Sequence, residues 1–229
     1  MKNGYIKCNS ANIYYEVYGT GETILFLHGN GEDLTYFKPQ IDYFKDKYKL
    51  VLIDSRGHGK SSFGNEGLTL DLMCDDVFQV LDKLNLNNVN ILGFSDGGNI
   101  ALKMALKDQS KIKTLTLMGA NLKPGDIVDE EQILIKYEYR IEKEEKNKKI
   151  LELMINEPNI DYNDLEKIKV KTLVVAGEKD AIKEECTKRI ANSIENSKLE
   201  ILEGADHFLS SKMPEVFNNI YSKFLCESN

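Results

Sequence analysis

Short apolar runs alternate along the chain with longer stretches of helical periodicity. Ile13-Tyr14-Tyr15-Glu16-Val17-Tyr18 and Thr23-Ile24-Leu25-Phe26-Leu27-His28 are β-rich and flank the turn Gly19-Thr20-Gly21. Their connection is too short for a crossover helix, so they predict an antiparallel hairpin at a sheet edge. The rhythm then changes. A helix around Tyr36 to Asp46 leads to the strand Leu50 to Ile53, a helix from about Leu70 to Leu84 to the strand Val89 to Gly93, and a helix from about Gly97 to Lys107 to the strand Ile112 to Met118. Near-continuous apolar strands in a βαβα series mark a parallel sheet covered on both faces.

After residue 118 the rhythm lapses until Lys171 to Gly177 resumes the sheet. A helix near Lys183 to Asn192, a strand Lys198 to Leu202 and a helix from Pro214 to about Leu225 close the chain. In the gap, Asp129 to Ile155 predicts one or two strongly charged helices, with Ile133, Leu134, Tyr137 and Ile141 on one face and Ile150, Leu151 and Met154 on another. The expected organisation is a core of residues 1–118 and 171–229, with 119–170 inserted as a reduced helical cap. The alternative is a solvated crossover helix with i,i+4 charge pairs, since Arg140 to Lys149 is almost wholly charged.

The length of 229 residues suits one domain with an insertion. Lys and Arg total 30 against 37 acidic residues, for a net charge of −7, and the basic residues are dispersed, which argues against a nucleic-acid partner. Cys8, Cys74, Cys186 and Cys226 lie far apart without metal-ligand spacing and suit free thiols of a reducing compartment. No apolar run approaches the ~18 residues of a membrane span, and the N-terminus lacks a signal-like apolar segment. A cytoplasmic protein without a membrane or metal partner is the expectation.

The chemistry centres on Gly93-Phe94-Ser95-Asp96-Gly97-Gly98, a G-x-S-x-G sequence between a strand and a helix. A serine at such a corner projects its hydroxyl from the top of the sheet, near the free N–H groups of the following helix. Of the three histidines, His207 is the best base, because it follows the last strand in a loop able to fold over the crevice. His28 and His58 sit in glycine-rich turns suited to backbone geometry. Asp180, just past the strand ending near Gly177, is the simplest group to orient His207; Glu178 is a weaker rival, and Asp206 shapes the histidine loop. In His28-Gly29-Asn30-Gly31 the Asn30 N–H can point at the same spot as that of Asp96, making an oxyanion hole. No G-x-x-x-x-G-K-[ST] spacing and no G-x-G-x-x-G after a strand is present, so no nucleotide cofactor is implied.

On these residues, together with Asp54-Ser55-Arg56-Gly57-His58-Gly59-Lys60-Ser61, the chain resembles the α/β-hydrolase superfamily, in its cap-bearing esterase, lipase and C–C-bond hydrolase branch. The resemblance implies an α/β-hydrolase fold with an eight-stranded, mostly parallel sheet, helices on both faces and a short helical cap after strand 6. It also implies a Ser95-His207-Asp180 triad without cofactor, and makes Arg56 and His58 scaffold. The expected activity is hydrolysis of a small carboxylic ester or related acyl compound through an acyl-enzyme. Alternatives on the same triad are a C–C-bond hydrolase, an amino-acid ester hydrolase or aminopeptidase-like enzyme, and a haloperoxidase-type enzyme; outside enzymes, a ligand-binding or signalling protein with a nearly silent triad. Asp96 either receives a substrate ammonium, as in similar amino-acid ester hydrolases, or serves the helix N-terminus. The insertion is shorter than the family's usual four-helix cap, so the pocket is expected to be shallow, open or completed by a partner, with the protein a monomer or homodimer. Tryptophan is absent, leaving Tyr36, Phe37, Phe94, Tyr137 and Phe208 as the aromatic candidates for a small-molecule pocket.

Overall fold

The computed structural model describes residues 1–228. The strands are β1 (Lys2–Cys8), β2 (Ala11–Tyr18), β3 (Thr23–Leu27), β4 (Lys49–Ile53), β5 (Val89–Phe94), β6 (Ile112–Met118), β7 (Lys171–Lys179) and β8 (Ser197–Asp206). The helices are α1 (Lys38–Phe44), α2 (Leu70–Lys83), α3 (Asp96–Lys107), α4 (Asp129–Ile141), α5 (Glu145–Asn156), α6 (Glu184–Ser193), α7 (Leu209–Lys212) and α8 (Pro214–Cys226). One eight-stranded sheet runs in the order β1-β2-β4-β3-β5-β6-β7-β8. From β4 across to β8 every pairing is parallel, while β1 and β2 are antiparallel to their neighbours.

The expected hairpin between the first two β-rich runs does not form. β2 pairs with β4, setting Tyr15 opposite Ile53, and β3 lies between β4 and β5. All five residues of β3 are buried, so both its faces need cover and both its edges need partners, which only a central position supplies. β2 finds its hairpin partner upstream in β1, a mostly exposed strand with little apolar content, and the chain reverses at Asn9, held at φ 51°.

Alternate residues of the buried strands feed two cores. Leu25, Leu27, Val51 and Ile91 pack on the side of α2, α3 and α6, while Ile24, Phe26, Leu52 and Leu92 meet aromatic residues of α1 and α8, among them Phe44, Tyr221 and Phe224. One ion pair is buried with the first core. Arg56, fully buried, donates from Nε and Nη2 to the Asp76 carboxylate at 2.7 Å each, and from Nη1 to the Phe63 carbonyl at 2.9 Å.

Between β6 and β7 the chain passes through α4 and α5. The Val128 N–H donates to the Ala181 carbonyl and the Lys183 N–H to that of Asp126, both at 2.8 Å, tying the entry to α4 to the loop after β7. α5 buries Ile150 and Leu153, whereas no residue of α4 is buried. Of the apolar face anticipated on α4, Ile133, Tyr137 and Ile141 turn outward, whereas Leu134 reaches the cavity lining. Among the described residues, no helix is long and apolar enough to cross a membrane.

Candidate active site

β5 ends at Phe94 and α3 begins at Asp96, leaving Ser95 alone at the corner with φ 53° and ψ −119°. For a serine this is a strained backbone. The corner is held in place by the Ser95 N–H, which donates to the Met118 carbonyl at 2.8 Å, and by the Ser95 carbonyl, which accepts from Gly98 and Asn99. Its sharpness depends on absent side chains. A Cβ on Gly93 would lie 2.3 Å from the Gly97 carbonyl oxygen, and one on Gly97 would lie 2.0 Å from that of Leu27.

His207 follows β8 directly, and its Nδ1 lies 2.6 Å from Asp180 Oδ1. The carboxylate is itself fixed by the Ile182 N–H on Oδ1 at 3.0 Å and the Gly177 N–H on Oδ2 at 3.1 Å. A carboxylate facing Nδ1 keeps the proton there and leaves Nε2 with a free lone pair. Glu178 turns away, accepting from the Gly204 N–H, and Asp206 caps its own loop by accepting from the Phe208 N–H. Ser95, Asp180 and His207 line one cavity of about 490 Å³.

The other two histidines serve the scaffold. His28 Nε2 accepts from the Ser55 N–H at 2.9 Å, and burial pushes its pKa down to about 4, as it does for His58. Neutral His28 thereby pins the loop carrying Gly29 and Asn30. A Cβ on Gly29 would meet the Phe94 ring at 3.1 Å and Ser95 Cβ at 3.2 Å, so this loop presses against the Ser95 corner. Among the described residues neither the Asn30 nor the Asp96 N–H donates to a backbone carbonyl, and Asp96 opens α3, where such groups are free.

Sequence reading missed a network of buried and partly buried amides behind this corner. The Asn30 side chain donates to Asp96 Oδ2 at 2.8 Å and to the Ile150 carbonyl at 3.0 Å, which links the loop after β3 to α5. Asn99 donates to Asp96 Oδ1 at 3.2 Å and to Asn121 Oδ1 at 2.9 Å. Burial raises the Asp96 pKa and these amides oppose the shift. With both oxygens engaged, the Asp96 carboxyl is a framework group, which counts against its receiving an ammonium.

Two further residues were not foreseen. Gly119 has φ 61°, and a Cβ there would sit 2.7 Å from His207 Cε1, so only glycine leaves room for the imidazole. The visible signal was a glycine directly after β6. Glu32 leaves its Oε2 buried without a partner, and burial lifts its pKa to about 7, against the opposing influence of His207. No sequence pattern marked it.

The aromatic candidates divide. Phe208 lines the cavity. Phe94 is buried with its ring 4.9 Å from that of His207, and Tyr36 stacks on Phe94 at 4.4 Å while accepting from the Ser210 hydroxyl. Both support the histidine without lining the cavity. Phe37 is fully buried against Phe26, and Tyr137 is 57% exposed on the outer side of α4, so these two leave the pocket set. The cavity roof comes from α4 through Glu131, Leu134, Ile135 and Glu138.

Residues 22–143 match the model of the alpha/beta hydrolase fold family. The chain is 28% identical over 168 residues to an uncharacterized hydrolase, YraK, of Bacillus subtilis; the match covers 66% of this chain and 62% of that protein, just under two thirds of its length. It is 27% identical to the serine hydrolase BPHL of Mus musculus, over 96% of this chain and 85% of the relative. The esterase of Exiguobacterium antarcticum superposes with a TM-score of 0.85 at 26% identity, covering 96% of this chain and 98% of that one. With this sheet order, a serine at the β5–α3 corner and a family model spanning more than half its length, the chain belongs to the α/β-hydrolase fold family.

Proposed function

We propose that the protein is a serine hydrolase that cleaves a small carboxylic ester through an acyl-enzyme. The observation that carries the reading is a strained Ser95 on the wall of the same cavity as the hydrogen-bonded Asp180–His207 pair. Ser95 Oγ attacks the ester carbonyl carbon as its proton passes to His207 Nε2, and Asp180 stabilises the imidazolium. The oxyanion accepts from the N–H groups of Asn30 and Asp96. Collapse breaks the bond to the alcohol oxygen, which takes the proton from His207. Water then attacks the acyl-enzyme with His207 again as base, releasing the acid and restoring Ser95. The esterase among the structural neighbours and the serine hydrolase among the relatives support this reading.

The cavity also constrains the substrate. Its apolar wall includes Ile127, Ile135, Met154 and Ile182, and besides Asp180 and Asp206 its carboxyl groups are Asp96, Glu131, Glu138 and Glu157 against the cations Lys179 and Lys212. Such a lining favours neutral or cationic acyl compounds and repels carboxylates. The test is incubation with a fluorophosphonate, location of the adduct by mass spectrometry, and turnover of p-nitrophenyl acetate, butyrate and octanoate. A stoichiometric adduct on Ser95, with turnover lost in Ser95→Ala, is the expected result. An unlabelled Ser95 in folded protein, with turnover equal to that of the variant, would overturn the proposal in favour of a ligand-binding protein.

A further inference from the structure

α4 is a helix of 13 residues none of which is buried. Its partly buried positions, Glu131, Gln132, Ile135 and Tyr139, face the cavity and α5, where Lys148 sits over the Tyr139 ring at 5.0 Å. On the outer side Ile133 is 68% exposed, Tyr137 57% and Ile141 56%, while Leu134, at the border of this face, reaches the cavity lining. Successive steps of four residues advance about 40° around a helix, so these side chains form one continuous stripe. A helix this short is marginal by propensity alone and relies on a packed apolar face. Here the broadest apolar face has nothing against it.

The ends of the stripe point to what covers it. Glu130 flanks it at the N-terminal end and Arg140 at the C-terminal end, both exposed and neither ion-paired among the described residues. They lie about 15 Å apart along the axis. We propose that α4 is the seam of a homodimer, in which the helix packs antiparallel against α4 of a second copy, Ile133 against Tyr137 and Glu130 against Arg140. A dyad near residue 135 makes each of these contacts twice, as an isologous interface requires. An anionic lipid surface suits the stripe poorly, because the chain carries −7 and the stripe itself is flanked by both signs of charge.

The pairing bears on the cavity, a consequence that rests on the reading of that cavity as the substrate site. Glu131, Leu134, Ile135 and Glu138 of the same helix form the roof, so a partner that fixes α4 fixes the roof. A seam about 20 Å long buries less than a standard stable interface, so the dimer should dissociate on dilution. Dilution would then raise KM while leaving the reactivity of Ser95 intact.

The experiment is sedimentation velocity on the full chain from roughly 1 to 100 µM, with KM for a p-nitrophenyl ester measured across the same range. A concentration-dependent dimer is expected. Ile133→Glu should abolish it, and Glu130→Arg or Arg140→Glu should each raise its Kd about tenfold or more, with the double exchange restoring it. These sites are exposed, so the variants should fold normally, and circular dichroism checks this. A protein that stays monomeric at the top concentration, or a dimer indifferent to Ile133→Glu and to the charge exchange, overturns the proposal. So does a monomer that binds phosphatidylcholine vesicles through Ile133, which would give the stripe to lipid. Fluorophosphonate labelling of Ser95 in the same samples separates failure of the seam from failure of the hydrolase reading.

Discussion

Replacing Glu32 by glutamine should stabilise the protein above neutral pH and leave its stability unchanged near pH 4.5. The Glu32 carboxyl has an ordinary pKa of 4.5, and burial lifts it to about 7 in the fold. Between those values the folded chain holds a proton that the unfolded chain has released, so stability falls as pH rises through this window and stays lower above it. The full shift corresponds to roughly 3 kcal/mol. Residual solvent contact reduces this to about 1–2 kcal/mol. A glutamine side chain is neutral at every pH and keeps the volume, so the stability of Glu32→Gln is free of this dependence. Thermal unfolding of both proteins should give equal Tm at low pH and a gain of about 2–8 °C for the variant near pH 8. Asp54, Asp76 and Asp96 also have raised pKa values, but they are common to both proteins and cancel in the difference. A difference curve flat with pH, or a variant less stable at pH 8, would refute the reasoning.

Gly119→Ala forces a methyl to within 2.7 Å of the His207 ring and requires a left-handed alanine; ester turnover and fluorophosphonate labelling should fall by about 100-fold or more, since small misplacements of reacting groups are costly. Asp76→Ala leaves the buried Arg56 guanidinium with only the partly exposed Glu66 carboxylate as an ionic partner and should cost about 3 kcal/mol in urea unfolding, whereas a loss under about 1 kcal/mol would deny the Asp76 pair its structural role. In a matched series of p-nitrophenyl esters differing only in a remote carboxylate, methyl or ammonium group, the carboxylate should have a kcat/KM about tenfold or more below the neutral ester. Equal values, or a preference for the carboxylate, would show that Glu131, Glu138 and Glu157 do not set the field at the bound substrate.

The places of Ser95, Asp180 and His207 relative to the strand ends were legible in the chain. Ser95, Asp180 and His207 each follow a parallel strand at the same edge of the sheet, so apolar runs and chain order suffice to bring them near one another. Arg56 and His58 were likewise legible as scaffold, because their glycine-rich segment repeats a known turn. What eluded the sequence were relations set by packing. β1 carries too few apolar residues to announce a strand, and its pairing with β2 sends β3 to the centre of the sheet. Phe37 and Phe208 look alike in the chain, yet one packs on Phe26 in the core and the other lines the cavity, a difference set by what each meets in the folded chain. Gly119 gains its meaning only from the imidazole folded against it by a loop far away in sequence, and Glu32 from the burial of its carboxyl in the fold. The apolar periodicity of α4 fixed which side chains share a stripe. Whether that stripe faces inward or outward is decided by how α5 and the loop after β7 hold the helix, since periodicity defines a face but not what lies opposite it.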